Sequence, residues 1–143
     1  MNTYSLERFV HAQQFHYAQA LAELHAGRKQ THWMWYVLPQ LLSLGRSQKA
    51  HYYGIANRAE AAAYLAHPLL GPRLIECVRA ILEHRDRSII DILGWTDGMK
   101  LQSCLTLFRA VAPSEPIFGS ALHAFYEGHE DEQTLRLLAT TAA

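Results

Sequence analysis

Cysteine is scarce in this chain: of 143 residues only Cys77 and Cys104 carry thiols. They lie far apart in segments that both read as helix, and neither belongs to a Cys-x-x-Cys or similar ligand spacing. Both are expected as reduced, buried thiols, with no disulfide framework to hold the fold. An excess of charge is also missing, since thirteen basic residues balance thirteen acidic ones. The total therefore carries no electrostatic footprint of the kind duplex nucleic acid demands. Long apolar runs are missing too. No stretch approaches the ~20 apolar residues that span a bilayer, and the opening MNTYSLERFVHAQQ has no apolar run flanked by basic residues. The expectation is a cytoplasmic chain with no membrane partner.

The common catalytic signatures are absent as well. There is no Gly-x-Ser-x-Gly, no Gly-x-x-x-x-Gly-Lys-Ser/Thr and no Gly-x-Gly-x-x-Gly, which disfavours the usual hydrolase, NTPase and dinucleotide folds. Nine histidines stand at 11, 16, 25, 32, 51, 67, 84, 123 and 129 without a His-x-His or His-x-x-x-His pairing. They read as scattered surface and structural groups, and neither a metal nor a cofactor is predicted. Acid or base candidates are Glu7, Glu23, Glu60, Glu76, Asp91 and Asp97, which the sequence does not rank beyond Asp97 lying near Lys100.

What is present suits one domain over residues 1–143. Hydrophobic residues make up 50% and charged residues 18%, enough apolar material for a core without staples. Folding at this length buries roughly 70% of the unfolded surface.

Helical periodicity recurs along the chain. Leu6, Phe9, Val10, Tyr17, Ala20, Leu21 and Leu24 share one side of a helix that Gly27 stops. Gln13 falls inside that stripe, where an amide needs a buried partner, and Phe15 falls opposite it. A short helix and turn follow between Thr31 and Leu42, broken by Pro39. Short helices are read over Gln48 to Tyr53, capped by Ser47, and over Arg58 to Leu65. A core helix runs from Leu69 or Pro72 to about Glu83, and Ser88 caps a turn over Ile89 to Leu93. Asp97 reads as the N-cap of a long helix to Val111, with further helices from Pro116 to Tyr126 and from Glu132 to Ala139, the last capped by Asp131. Period-two alternation is absent. The predicted fold is all-α, about seven or eight helices with several of them short, and no sheet.

The unusual segment runs from Arg28 to Ser47. It holds Arg28-Lys29, His32-Trp33-Met34-Trp35-Tyr36, Pro39-Gln40 and Gly45-Arg46-Ser47. Indoles supply flat faces for stacking, and guanidinium and ammonium groups suit phosphate or carboxylate. The plain alternative is that both tryptophans are core, since Trp is highly buried in most folds. Lys100 and Ser103 stand one turn apart at the margin of a buried helix face, where a lysine clamps an anion or simply reaches water.

The segments Leu6-Glu7-Arg8-Phe9, Gly27-Arg28-Lys29, His32-Trp33-Met34-Trp35, Pro39-Gln40 and Leu44-Gly45-Arg46-Ser47 carry a resemblance. With Tyr64-Leu65-Ala66-His67-Pro68, Leu70-Gly71-Pro72-Arg73-Leu74, Lys100, Ser103 and Thr106-Leu107-Phe108, the chain resembles the bacterial and fungal family called domain of unknown function 1810, from about Leu6 to Leu138. The resemblance implies an all-helical single domain and no established activity. The label calpastatin that some members carry does not transfer, because this composition is globular and that inhibitor is disordered. A more distant similarity, by analogy of fold class and pocket, is to helical enzymes that cleave ADP-ribose linkages.

Two functions from different classes follow. The first is a binding or hydrolytic domain for a small anionic, nucleotide-like ligand, a class that includes ADP-ribose derivatives, held by Arg28, His32, Trp33, Trp35, Gln40, Arg46, Ser47, Lys100 and Ser103. The second is a non-enzymatic protein-interaction module, a monomer or weak homodimer, using exposed residues such as Phe15. Single-strand binding by stacking is a third reading.

Overall fold

A computed structural model of the chain describes residues 5–140. Among these residues there are nine α-helices and one 3-10 turn, one or two helices more than the pattern predicts, and no sheet. Helix α1 spans Glu7–Ala26 and ends where Gly27 adopts φ 77°, its N–H returning to Glu23 and Leu24 carbonyls. Only glycine takes that left-handed geometry without strain. Phe9, Ala12, Ala20 and Leu24 are buried along α1, and Phe15 stands on the outer side, 68% exposed.

Helix α2 is a single turn, Met34–Val37, and a 3-10 turn over Leu42–Leu44 follows Pro39. An isolated parallel bridge pairs Leu41 with Ile55, with Leu42 N–H donating to the Ile55 carbonyl at 2.8 Å and Ile55 N–H to that of Gln40 at 2.9 Å. Helix α3, Gln48–Tyr52, starts at Ser47, whose Oγ accepts from Ala50 N–H. Helix α4, Arg58–Ala66, is capped by Asn57, and α5 runs over Leu70–Leu82. His67 Nδ1 accepts from the N–H groups of Leu69 and Leu70. The α4–α5 corner is tight: a methyl group on Gly71 would lie 2.0 Å from the Leu65 carbonyl oxygen.

Helix α6, Ile89–Leu93, is capped by Ser88 as expected. Helix α7, Trp95–Val111, departs from expectation at its start. Gly94 at φ 87° ends α6 and begins α7, three residues before the predicted Asp97 cap, and no side chain caps the helix. Asp97 sits inside the first turn with its carboxylate committed elsewhere. Helix α8 spans Pro116–Tyr126, begun by Glu115, and α9 spans Glu132–Thr140. Asp131 Oδ2 accepts from Thr134 N–H at 2.9 Å, as its predicted capping role requires.

Helix α7 is the hub, packed against α4, α6, α8 and α9, while α1 lies on α5 and α2. An aromatic line crosses the core from α1 to α8. Phe9 meets Tyr64 edge-on at 5.0 Å, Tyr64 meets Phe108 at 5.5 Å, and Phe108 meets Phe118 at 5.9 Å. Gln13 finds the partners its burial demands: its Nε2 donates to the Tyr36 carbonyl at 2.7 Å and to Tyr64 Oη at 3.0 Å. Both cysteines are buried and free, and burial pushes the Cys77 thiol up to about 12. Among the described residues no helix is long and apolar enough to cross a membrane.

Candidate functional site

The site is positioned by a carboxylate. Glu23, 4% exposed near the end of α1, gathers the loop that follows it. Oε1 accepts from Gln30 N–H at 2.8 Å, Thr31 N–H at 3.0 Å and Trp33 Nε1–H at 2.9 Å. Oε2 accepts from Thr31 Oγ1–H at 2.6 Å and Gln19 Nε2 at 2.9 Å. Burial by itself raises the pKa of this acid, but hydrogen bonds to Thr31, Gln30 and Gln19 outweigh it and hold the carboxyl at about 2. Trp33 is drawn into the core by this bond, 1% exposed.

The same loop delivers Lys29. Its N–H donates to the Ile92 carbonyl at 2.8 Å, and its ammonium lies 2.9 Å from Asp97 Oδ2 and 5.1 Å from the centre of the Trp33 ring. Asp97 Oδ1 faces Lys100, one turn along α7, at 3.8 Å. Lys100 Nζ lies over the Trp35 ring at 5.3 Å from its centroid, and Lys49 Nζ lies over the same ring at 4.9 Å. Two ammonium groups therefore lie within cation–π reach of one indole. A void of about 10 Å³, one water in size, lies between Trp35, Gln40, Tyr53 and Lys100.

An open cleft of about 320 Å³ adjoins this cluster. Gln40 and Leu44 form one wall, Trp95, Lys100 and Ser103 of α7 another, and Asp131 and Gln133 the mouth of α9. Trp95 is 67% exposed. Ser103 is buried and its Oγ donates to the Met99 carbonyl at 3.4 Å. Of the charged groups, Lys100 and Asp131 line the cleft itself, while Lys29 pairs with Asp97 and Lys49 lies over Trp35.

The predicted site residues divide. Trp35, Gln40, Lys100 and Ser103 come together around the cleft. Trp33 does not reach it, because Glu23 holds its indole in the core. Arg28 lies exposed beside a separate hollow of about 210 Å³, with Gln19 and Gln30. The exposed His32 contributes its carbonyl to Tyr36 Oη at 3.3 Å, Arg46 is exposed, and Ser47 serves as a helix cap.

Trp95 and Lys49 were not singled out by sequence reasoning. Trp95 precedes the periodic part of α7, and an indole directly behind Gly94 was the available signal. Of the predicted acids, Glu23 and Glu60 are structural. Glu60 Oε2 pairs with Arg8 at 3.0 Å, and its Oε1 accepts from Ala56 N–H. Among the described residues no three His, Cys, Asp or Glu side chains gather as a metal-binding group.

Fold and cleft together define a small all-helical domain with a lysine- and tryptophan-lined hollow on its central helix. The chain belongs to the family described as "Protein of unknown function (DUF1810)", whose model matches residues 3–138. The solved structure of the conserved hypothetical protein Rv1873 from Mycobacterium tuberculosis is similar to it, with 46% identity and a TM-score of 0.95. That similarity covers 98% of this chain and 100% of that one. A comparison with curated proteins returns no match.

Proposed function

We propose that the cleft beside α7 binds a small anion that carries a planar group, a class that includes nucleotides and ADP-ribose derivatives. The observation that carries this reading is the clasp of Lys49 and Lys100 on Trp35, next to the exposed indole of Trp95. The ammonium groups supply the charge for phosphate or carboxylate. Both lie over the Trp35 ring, so Trp95 is the indole that offers an open surface for stacking. The carboxylates at the cleft are committed, Asp97 to Lys29 and Asp131 to the start of α9, which favours binding over hydrolysis.

The test is a thermal-shift screen against nucleotides, ADP-ribose and phosphorylated metabolites. A ligand at ~100 times its Kd stabilises the fold by ~2.7 kcal/mol, a rise in Tm on the order of 8 °C for a chain of this size. Hits are expected to vanish in Lys100→Gln and Trp95→Ala and to survive in Arg28→Ala. Loss in Arg28→Ala with retention in Lys100→Gln would move the site to the hollow beside Glu23.

A second reading, an interaction module without chemistry, is favoured by three exposed apolar side chains that line one groove: Ile90, Trp95 and Met99, at 44%, 67% and 53%. A flat ligand screen together with concentration-dependent association in sedimentation would support it.

A further inference from the structure

Trp95 and Met99 belong to two hollows. On one side lies the polar cleft with Lys100; on the other lies a groove of about 260 Å³ between α6, α7 and α8. Its apolar lining is Ile89, Ile90, Trp95, Met99 and Phe125, together with Gly98. The polar side chains that border the groove are already engaged. Ser88 Oγ accepts from Ile90 N–H, Gln102 Nε2 donates to the His129 carbonyl, and Tyr126 Oη donates to the Gly98 carbonyl. A guest in this groove therefore meets hydrocarbon and ring surface and few open hydrogen-bonding groups. In the polar cleft, by contrast, the side-chain amides of Gln40 and Gln133 have no hydrogen-bond partner among the described residues and stay available to a ligand.

The geometry points to one ligand that spans both hollows: an anion whose head lies at Lys100 and whose apolar arm crosses Trp95 into the Ile90–Phe125 groove. This inference rests on the anion-binding reading above. Within the anions of that reading, the ligand is thereby narrowed to those that carry an apolar acyl, alkyl or aryl arm. The Lys100 ammonium, the cation in the lining of the polar cleft, fixes the head of the ligand, and continuity through the shared Trp95 and Met99 fixes the direction of the arm. The exposure of Ile90, Trp95 and Met99 is then explained, since all three would be covered by the arm.

The experiment is a calorimetric titration of the full chain with n-alkyl phosphates from methyl to octyl, each kept below its micelle concentration. Every methylene that leaves water on the groove is expected to tighten binding about two- to fourfold. The length dependence is read on the unmodified chain and needs no variant. Ile90→Ser, at an exposed position outside the polar cleft, is expected to weaken octyl phosphate on the order of fivefold while methyl phosphate is unchanged. Lys100→Gln is expected to weaken the whole series together.

Lys100-dependent binding that is flat along the series would overturn the apolar arm and leave the anion site standing. No binding by any member, or binding indifferent to Lys100→Gln, overturns the anion site and this inference with it. In the indifferent case, tightening with chain length would assign the groove to a purely apolar guest.

Discussion

Replacing Glu23 by Gln tests whether one buried carboxylate organises the loop that carries Lys29 and Trp33. The carboxyl is held at about 2 against an ordinary value of 4.5. At 1.36 kcal/mol per pH unit this is about 3 kcal/mol of stability in favour of the ionised form. The sign follows from the lowered pKa: the contribution is fully present above the unfolded value and is lost as pH falls toward the folded one. The advantage of wild type over Glu23→Gln should therefore be about 3 kcal/mol above pH 6 and shrink to about 1 kcal/mol at pH 3. Urea denaturation followed by tryptophan fluorescence at several pH values measures it, with the buried Trp33 as a reporter of the bond itself. Taking the difference between the two proteins cancels the titration of every other carboxylate. A difference that stays constant from pH 7 to pH 3 would refute the reasoning, since it would mean that the substitution acts through shape and not through charge.

Two further perturbations probe how the loops are fastened. Arg8 is 12% exposed, reaches the Tyr52 and Gly54 carbonyls and pairs with Glu60 at 3.0 Å, so Arg8→Met strands a carboxylate that is 2% exposed. The expected loss is about 3–5 kcal/mol in chemical denaturation, partly recovered in the Arg8→Met/Glu60→Gln double variant. Gly71→Ala places a methyl group against the Leu65 carbonyl and is expected to lower stability by about 1–3 kcal/mol. A neutral result would mean that the α4–α5 corner opens freely.

Helix positions were readable because their causes are local. The stripe of α1, the stop at Gly27 and the caps at Ser47, Ser88 and Asp131 each depend on residues within a turn or two, and all stand where the pattern puts them. Gln13 was readable as a buried amide, although its partners, Tyr36 and Tyr64, were not. The family was also legible, because its motifs are contiguous strings.

The division of labour among the aromatic and charged residues was not legible. Trp33 and Trp35 are two positions apart in one short motif, yet a bond to Glu23 takes the first into the core, while two lysines distant in sequence claim the second. Trp95, by sequence only a residue after a glycine, is the indole left in the open. Asp97 has the chemistry of a helix cap, but α7 begins at Gly94, which places Asp97 inside the first turn, where its carboxylate pairs with Lys29 from a segment distant in sequence. Sequence by itself determined the all-helical class, most helix boundaries and the family. Only the tertiary structure decided which side chains face the cleft, because burial and ion pairing are set by neighbours that the chain assembles from distant segments.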